Sequence, residues 1–440
     1  MTTEAHALEG ATTDGGLYLY DDARARRFEP FALTRPVSEL RAGVALIRRR
    51  WEHILGRSAS GFIAGAHLDG FSEPGTPPFT RGDIPAGSIL VNARCVPPIA
   101  GSGDEAEDVM GQTVTIAGRD YTRVEASPAG GADVWMCRGR VAALRLAQAV
   151  PAAALRDGDV SLEVLGARGA RMAELRGRWL DEIWSLIVDL VPQLHDDIQA
   201  IGPRLQCETP AGAIVVGEHP VYVERGALVE PGVCLDVSAG PVLVRSGAVV
   251  RAFTRLVGPC AIARGATVLG DRIHAASIGE TTLVRGEVSE TVFLGYSNKA
   301  HDGFVGHSYV GRWVNLGAGT ITSDLKNTYG TISIWTPRGV RDTGTLKLGT
   351  FFGDHVKTGI GLRLTTGTVL GAGSSLFGTA MPPKHVPPFS WGEGERLTTF
   401  ELEKFLDIAA RVMGRRNQTL SASQRRQLAA AHALGRRVAR

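Results

Sequence analysis

Residues 295–330, GYSNKAHDGFVGHSYVGRWVNLGAGTITSDLKNTYG, concentrate groups that can move protons and hold polar ligands: Lys299, His301, Asp302, His307, Asn315, Asp324, Lys326 and Asn327. A neutral imidazole near pH 7 is suited to take a proton from an attacking amine. A carboxylate on its far nitrogen fixes the tautomer and supports the developing imidazolium. His301 stands 14 residues after Glu287 and 14 before Asn315, so the three can share a site if the chain coils back on itself. Asparagine can orient a substrate, and lysine or arginine can hold a phosphate or sugar hydroxyls. The competing reading is a histidine and asparagine satisfied on an outer surface or stacked in an internal ladder.

The elements that must carry these groups have an unusual period. Val223, Val229 and Leu235 fall six apart, as do Val244, Val250, Leu256, Ile262 and Val268. Glycine or a small residue follows at mid-repeat in VERGAL, VEPGVC, VRSGAV and IARGAT. A hexad matches neither a helix nor a strand. It is the signature of a solenoid whose triangular coils of about 18 residues each place three aliphatics on the axis and small residues at the corners. The 55 glycines exceed the average of about 7%. With no G-X-Y period and with 44% hydrophobic residues, they exclude collagen and wholesale disorder and fit a corner-rich fold.

The chain is expected to divide into a disordered leader (1–16), an α/β domain (17–208), the solenoid (209–390) and an arginine-rich tail of two helices (391–440). In the α/β domain, LYLYDD and SILVNARCVP read as strands. SELRAGVALIRRRWEHIL (38–55), VAALRLAQAVPAAAL (141–155) and residues 178–201 read as helices, and residues 101–112 as a loop. The tail can cap the solenoid, pack on a neighbouring subunit or meet an anionic ligand. Forty-eight basic against 45 acidic residues leave a net charge of +3, which excludes a general nucleic-acid binder. All six lysines lie after residue 298. The five cysteines, Cys95, Cys137, Cys207, Cys234 and Cys260, form no C-x-x-C and no metal spacing, and with no apolar run of about 18 residues they point to a cytoplasmic protein with free thiols.

The run KAHDGFVGHSYVGRWVNLGAGTITSDLKN resembles the acetyltransferase segment of the bifunctional N-acetylglucosamine-1-phosphate uridyltransferase and glucosamine-1-phosphate acetyltransferase family. That family's pattern is roughly S-K-A-G-H-x-x-Y-x-G followed by V-N-I-G-A-G-T-I-T. The resemblance covers roughly residues 209–385 and implies a left-handed parallel β-helix, a homotrimer, and acetyl-coenzyme A as co-substrate with an amino sugar phosphate as acceptor. Position by position it makes His301 the general base, Glu287 its orienting acid and Asn315 a sugar contact. Phe304 stands for a tyrosine, Asp324 for an asparagine and Ser289 for a phosphate-binding lysine. Asp354 and Ala372 fall in the implied acetyl-coenzyme A groove, residues 353–373. The phosphate contact then moves to Arg285, Lys299 or Lys326.

FEPFALTRPVSELRAG, with LYLYDD before it and VNARCVP after, is similar to a divergent sugar-nucleotidyltransferase-like domain. The glycine-rich G-x-G-T-R-M loop and the proline-lysine pair are missing, as is the aspartate expected to hold magnesium. Arg35 and Arg41 are candidate phosphate ligands in their place, and Asp21 or Asp22 a candidate ligand for Mg2+, needed only if this domain turns over a nucleoside triphosphate. Solvation or packing of the two arginines is the rival reading. Three functions therefore stand: N-acetylation of an amino sugar phosphate; uridylyl or thymidylyl transfer to a sugar-1-phosphate with the β-helix oligomerising or regulating; and a non-catalytic sugar-nucleotide-binding scaffold. No nucleic acid, membrane or resident metal is expected.

Overall fold

A computed structural model describes residues 15–99, 113–116, 119–123, 132–166 and 169–438. The expected leader, up to residue 14, and the loop 101–112 lie outside them. The N-terminal sheet has the order Ala59–Ile63, Leu17–Tyr20, Ile89–Asn92, Arg140–Arg145, Val134–Cys137, Ala170–Glu174, Arg119–Arg123, Thr113–Ile116. Leu17–Tyr20 pairs in parallel with both neighbours, so Asp21, Asp22 and the segment after Asn92 meet at the same strand ends.

Three expected helices change. Only Ile47–Leu55 of the stretch 38–55 is α-helical. Before it Arg41–Ala42 and Ala45–Leu46 form a small hairpin whose turn needs Gly43 at φ +59°, and a Cβ there would collide with the Asp197 carboxylate. The helix ends on Gly56 in the left-handed conformation. Residues 141–155 start as strand Arg140–Arg145 and end in the short strand Val150–Pro151 and a 3-10 turn, Ala152–Leu155, because Arg138 (φ 49°) and Gly139 (φ 73°) close a two-residue hairpin that pairs Cys137 with Arg140. Both faces of Arg140–Arg145 are buried, which removes the alternation that would have marked a strand. The stretch 178–201 contains two helices, Ser185–Val188 and Leu190–Ile201.

The second unit is a parallel β-solenoid with three sheet faces. The hexad aliphatics point inward: Val244, Val250, Leu256, Ile262 and Val268 are fully buried in one axial core. Consecutive rungs pair in register, as Leu243 with Ala261, Ala261 with Ser277, Ser277 with Val292, Val292 with Tyr309, Tyr309 with Phe351 and Phe351 with Val369. This column points away from the axis, yet all but Ser277 are apolar and join the same core as Phe31, Val37, Trp51, Leu190 and Leu194. The N-terminal domain is docked along this face.

Polar anchors fix the docking. Tyr309 Oη accepts from the Arg41 amide at 2.8 Å and donates to the Arg41 carbonyl at 3.1 Å, while Ser277 Oγ donates to the Gly43 carbonyl at 2.7 Å. Arg35, 1% exposed, bridges Glu73 of its own domain (2.9 Å) and Asp354 of the solenoid (2.8 Å). Arg312 reaches Glu73 from the other side at 3.2 Å. Helices Leu402–Gly414 and Ala422–Val438 close the structure over Phe389 and Trp313, and Gln427 donates to the Thr34 carbonyl at 3.4 Å. The tail is folded onto its own chain.

Removing one member of a buried ion pair leaves the other charge uncompensated, at a cost of about 3–5 kcal/mol. Arg35→Ala is expected to lower unfolding free energy by about that amount in urea denaturation, and a loss below about 1 kcal/mol would show that the network does not hold the domains together.

Candidate functional site

Around the coil the docked face is followed by a ten-stranded face and then by a six-stranded one, Ile214–Val216 to Val305–Gly306, which carries most of the chemistry. On that polar face Arg272 and Glu287 pair at 3.4 Å, His274 Nδ1 lies 3.0 Å from Ser289 Oγ one rung on, and Val305 and His307 hydrogen-bond from their amides to the Glu287 and Ser289 carbonyls. Glu287, Ser289 and Phe304 therefore occupy neighbouring positions on one surface. Gly306 leaves room there for the Phe304 ring and the Asp324 carboxylate, both of which a Cβ would strike.

At the edge of this face His307 is held between two acids, with Nδ1 2.7 Å from Asp324 Oδ2 and Nε2 3.3 Å from Glu290 Oε2. Burial by itself would depress its pKa, and the two carboxylates more than offset this, raising it to about 9. The neighbouring His274 is shifted the other way, by burial and by Arg272. One imidazole is therefore a fixed cation and the other a neutral base beside a hydroxyl. Sequence reasoning counted His307 among the polar residues without a role and passed over His274 and Glu290. Their signal was the stacking of His274 on Ser289, visible only once rung lengths are known.

The opposite edge of the polar face carries His301. It is exposed, and its ring has no hydrogen-bond partner among the described residues. Glu287 shares no hydrogen bond with it and pairs with Arg272 instead. Lys299 is corrected from a phosphate contact to an internal brace: 2% exposed, it donates from Nζ to the Arg285 and His301 carbonyls, both at 2.7 Å, and burial lowers its pKa to about 8. It fixes the backbone from which His301 projects. Arg285 is half-exposed between Asp271 (3.1 Å) and Asp302 (3.4 Å). Asn315 is exposed and accepts from Asn298 Nδ2 at 2.9 Å, whereas Lys326 donates to the Thr331 carbonyl. Asp324 answers His307 rather than facing outward alone.

The expected donor groove at 353–373 is overturned at its two named residues. Asp354 is buried, accepting from Arg35, from Thr34 Oγ1 at 2.8 Å and from the Arg312 amide at 2.8 Å, and Ala372 is buried beneath Phe389. The open apolar surface lies instead at the corner below His301, where the Gly319 amide donates to the Asp302 carbonyl (3.0 Å) and the Gly361 amide to the Ala318 carbonyl (2.7 Å). Ile360 stands there 81% exposed.

In the N-terminal domain Arg35 and Arg41 are likewise corrected. Both are buried, and Arg41 pairs with Glu280 of the solenoid at 2.6 Å, so neither faces a nucleotide. The residues at the strand ends do not fit magnesium. Asp22 accepts from Arg94 Nη2 (2.6 Å), Asn92 Nδ2 (2.9 Å) and the Ala25 amide (2.8 Å); burial opposes its ionisation, and Arg94 more than offsets that. Asp21 is buried against the Val37 amide, and burial raises its pKa to about 7. Among the described residues no cluster of three His, Cys, Asp or Glu side chains is arranged to hold a metal, and no helix is long and apolar enough to cross a membrane.

The His307 cluster has a titration consequence. Its folded pKa is raised, so the stabilisation is fully present below the unfolded value of 6.5 and is lost as pH rises through about 9. Wild-type stability is expected to fall across this window relative to His307→Gln, by on the order of 2–3 kcal/mol, when urea midpoints are compared from pH 6 to about 10. Parallel curves for the two proteins would remove the ion pairing.

Residues 17–204 match the family model described as sugar nucleotidyl transferase. A "Bifunctional sugar-1-phosphate nucleotidylyltransferase/acetyltransferase" of Sulfurisphaera tokodaii is 32% identical over 130 residues, 29% of this chain and 30% of that protein. "Bifunctional protein GlmU" of Bordetella parapertussis is 26% identical over 258 residues, 54% of this chain and 50% of its own length. The chain spans half or less of the length of these curated relatives. A solved N-acyltransferase, AntD of Bacillus cereus, aligns at 12% identity over 46% of this chain and 91% of its own with a TM-score of 0.17, too low for argument. Over residues 17–204 this chain is thus similar to sugar nucleotidyl transferases, and over part of its length to a bifunctional sugar-1-phosphate nucleotidylyltransferase/acetyltransferase and to GlmU.

Proposed function

We propose that the chain is a transferase that moves the acetyl group of acetyl-coenzyme A to the amine of an amino sugar phosphate, a step toward nucleotide sugars of the cell envelope, in the cytoplasm. The supporting observation is the corner beneath His301: an exposed, unpartnered imidazole stands above glycine-lined backbone and the open side chain of Ile360. An exposed apolar side chain beside glycine backbone suits the pantetheine arm of coenzyme A, whose own groups are mostly apolar and amide. The relative from Sulfurisphaera tokodaii is named in part as an acetyltransferase, which supports the same reading.

In this mechanism the amine nitrogen attacks the thioester carbonyl. A C–N bond forms, the C–S bond breaks, His301 takes the amine proton and returns it to the departing thiolate. Backbone amides of the coil polarise the carbonyl, and Lys299 holds the His301 backbone in place. Glu287, Asn315 and Phe304 line the acceptor side, with Arg285 and Arg272 as the cations nearest a phosphate. Asp302 and Ala318 replace Asp354 and Ala372 on the donor side. The solenoid faces left open by the docked domain are available for the homotrimer that the resemblance implies.

Sugar-1-phosphate nucleotidyl transfer is the second reading, favoured by the family match over residues 17–204. The engagement of Asp22 with Arg94 weighs against it, since that carboxylate is not free for the metal that balances triphosphate charge.

Thiol release from acetyl-coenzyme A in the presence of glucosamine-1-phosphate tests the proposal. Wild type is expected to show acceptor-dependent release, and His301→Ala to lower it by about 10²–10⁴-fold. No acceptor-dependent release by wild type would sink the activity, and unchanged turnover in the variant would remove His301 as the base.

A further inference from the structure

The two ends of the solenoid are finished differently. At the far end Leu397, in the hairpin of Ser390–Glu393 with Arg396–Thr399, packs on the axial core. The last strands of two sheets there, His385–Val386 and Arg396–Thr399, run into Pro387 and Pro388 or carry Arg396, residues that keep an edge from pairing. The first rung consists of Ile214–Val216, Val221–Val223 and Leu228–Val229, each the terminal strand of its sheet. The connection from the N-terminal domain covers one of these edges: the Glu208 amide donates to the Val223 carbonyl at 2.8 Å, and the Arg225 amide to the Gln206 carbonyl at 2.7 Å. Ile214–Val216 has no such cover among the described residues.

Val215 is the register partner of Leu235, a fully buried residue of the axis. Yet Val215 is 53% exposed, with Ile214 at 57% and Val216 at 43%, so the axial core runs out to water through this strand. Its backbone is equally unfinished. The Ile214 amide donates to the Val233 carbonyl at 2.8 Å, and the Val216 carbonyl accepts from the Val237 amide at 2.6 Å. Ile214 and Val216 thus spend their backbone groups on the second rung, and the alternation of a strand points the amide and carbonyl of Val215 off the end of the coil. One free donor and one free acceptor on the central residue of three is the pattern that two identical antiparallel strands satisfy at a two-fold axis, where the opposed residues exchange both bonds. Charge does not oppose the approach: the strand has none, and Asp236 with Arg255 (2.6 Å) and Glu208 with Arg225 (2.9 Å) are already paired. In this register Glu218 falls opposite Gly212, not opposite its own copy.

We propose that Ile214–Val216 pairs with the same strand of a second copy of this chain, joining two solenoids end to end across a two-fold axis at Val215. Val215 meets Val215 on the axial side, and Ile214 meets Val216 twice on the outer side. The two axial cores then become continuous, and the two six-stranded faces become one sheet. The pairing is independent of acyl transfer and of how many chains assemble side by side.

Size exclusion with light scattering on the full chain, over a dilution series, tests this. At high concentration wild type is expected to have twice the mass of Ile214→Lys, which sets an ammonium against the apolar edge of the other copy. The double change Ile214→Lys with Val216→Glu is expected to regain the doubled mass, because the antiparallel register brings each lysine opposite a glutamate. Ile214→Lys with Val216→Lys should stay at half. Val340→Lys, which also charges an exposed valine (71%) but on the hairpin Ser333–Thr336 with Gly339–Asp342, should keep the doubled mass. The recovery in the double variant separates a lost contact from a lost fold. Equal masses for wild type and Ile214→Lys at every concentration, or no recovery in the Lys–Glu variant, would overturn the pairing. Equal masses with slow amide exchange at Val215 would overturn it too, by assigning the edge to another segment of the same chain.

Discussion

Everything else in the molecule depends on one column of outward-facing apolar side chains on one face of the solenoid. A solenoid normally spends its outer positions on polar residues, because only the axis is hidden from water. Here Leu243, Ala261, Val292, Tyr309, Phe351 and Val369 would be exposed in an isolated coil. Covering them is the driving force that brings a separate α/β domain against successive rungs, and it is non-directional. Orientation comes from Arg35, Arg41 and Tyr309, whose buried polar partners tolerate few alternative positions. Hydrophobic cover and polar address are thus divided between two sets of residues.

This arrangement explains why arginine dominates the first domain. Arg35, Arg41, Arg48 and Arg50 are all buried, and each holds a carboxylate: Asp354 and Glu73, Glu280, Glu39, and Asp197. A guanidinium carries several donors in a fixed fork and can satisfy two acceptors at once inside protein, which an ammonium does less well. The same chemistry that makes arginine a phosphate ligand makes it an internal joint, and sequence alone does not distinguish the two uses.

The solenoid was legible because the hexad recurs within most rungs even where rung length changes: the hexad aliphatics and the corner glycines each have one physical role, and the axial core follows from them. The α/β architecture and two tail helices were legible in outline. What failed was local. Residues 141–155 are apolar on both faces and carry no period, so a hairpin set by Arg138 and Gly139 could not be separated from a helix. At the site, His301, Glu287 and Asn315 were picked out by type and spacing, but the pairing of Glu287 with Arg272 and the burial of Lys299 depend on rung lengths that vary along the coil. Asp354 and Ala372 were misplaced for a different reason: a position open in a bare solenoid is closed when another domain lies on it, and no single rung encodes that.

The hairpin 333–342 gives the coil a role beyond scaffolding. In most solenoids a rung can be gained or lost with little consequence, since each repeat touches only its neighbours. In this chain the docked domain is anchored at Ser277 and Tyr309, while the hairpin, Ser333–Thr336 paired with Gly339–Asp342, leaves the coil farther along and brings Arg341 to 3.6 Å from Glu182 of that domain. The rungs between therefore act as a ruler. One coil more or less would carry the hairpin a full rung spacing, close to 5 Å, away from the acid it now meets.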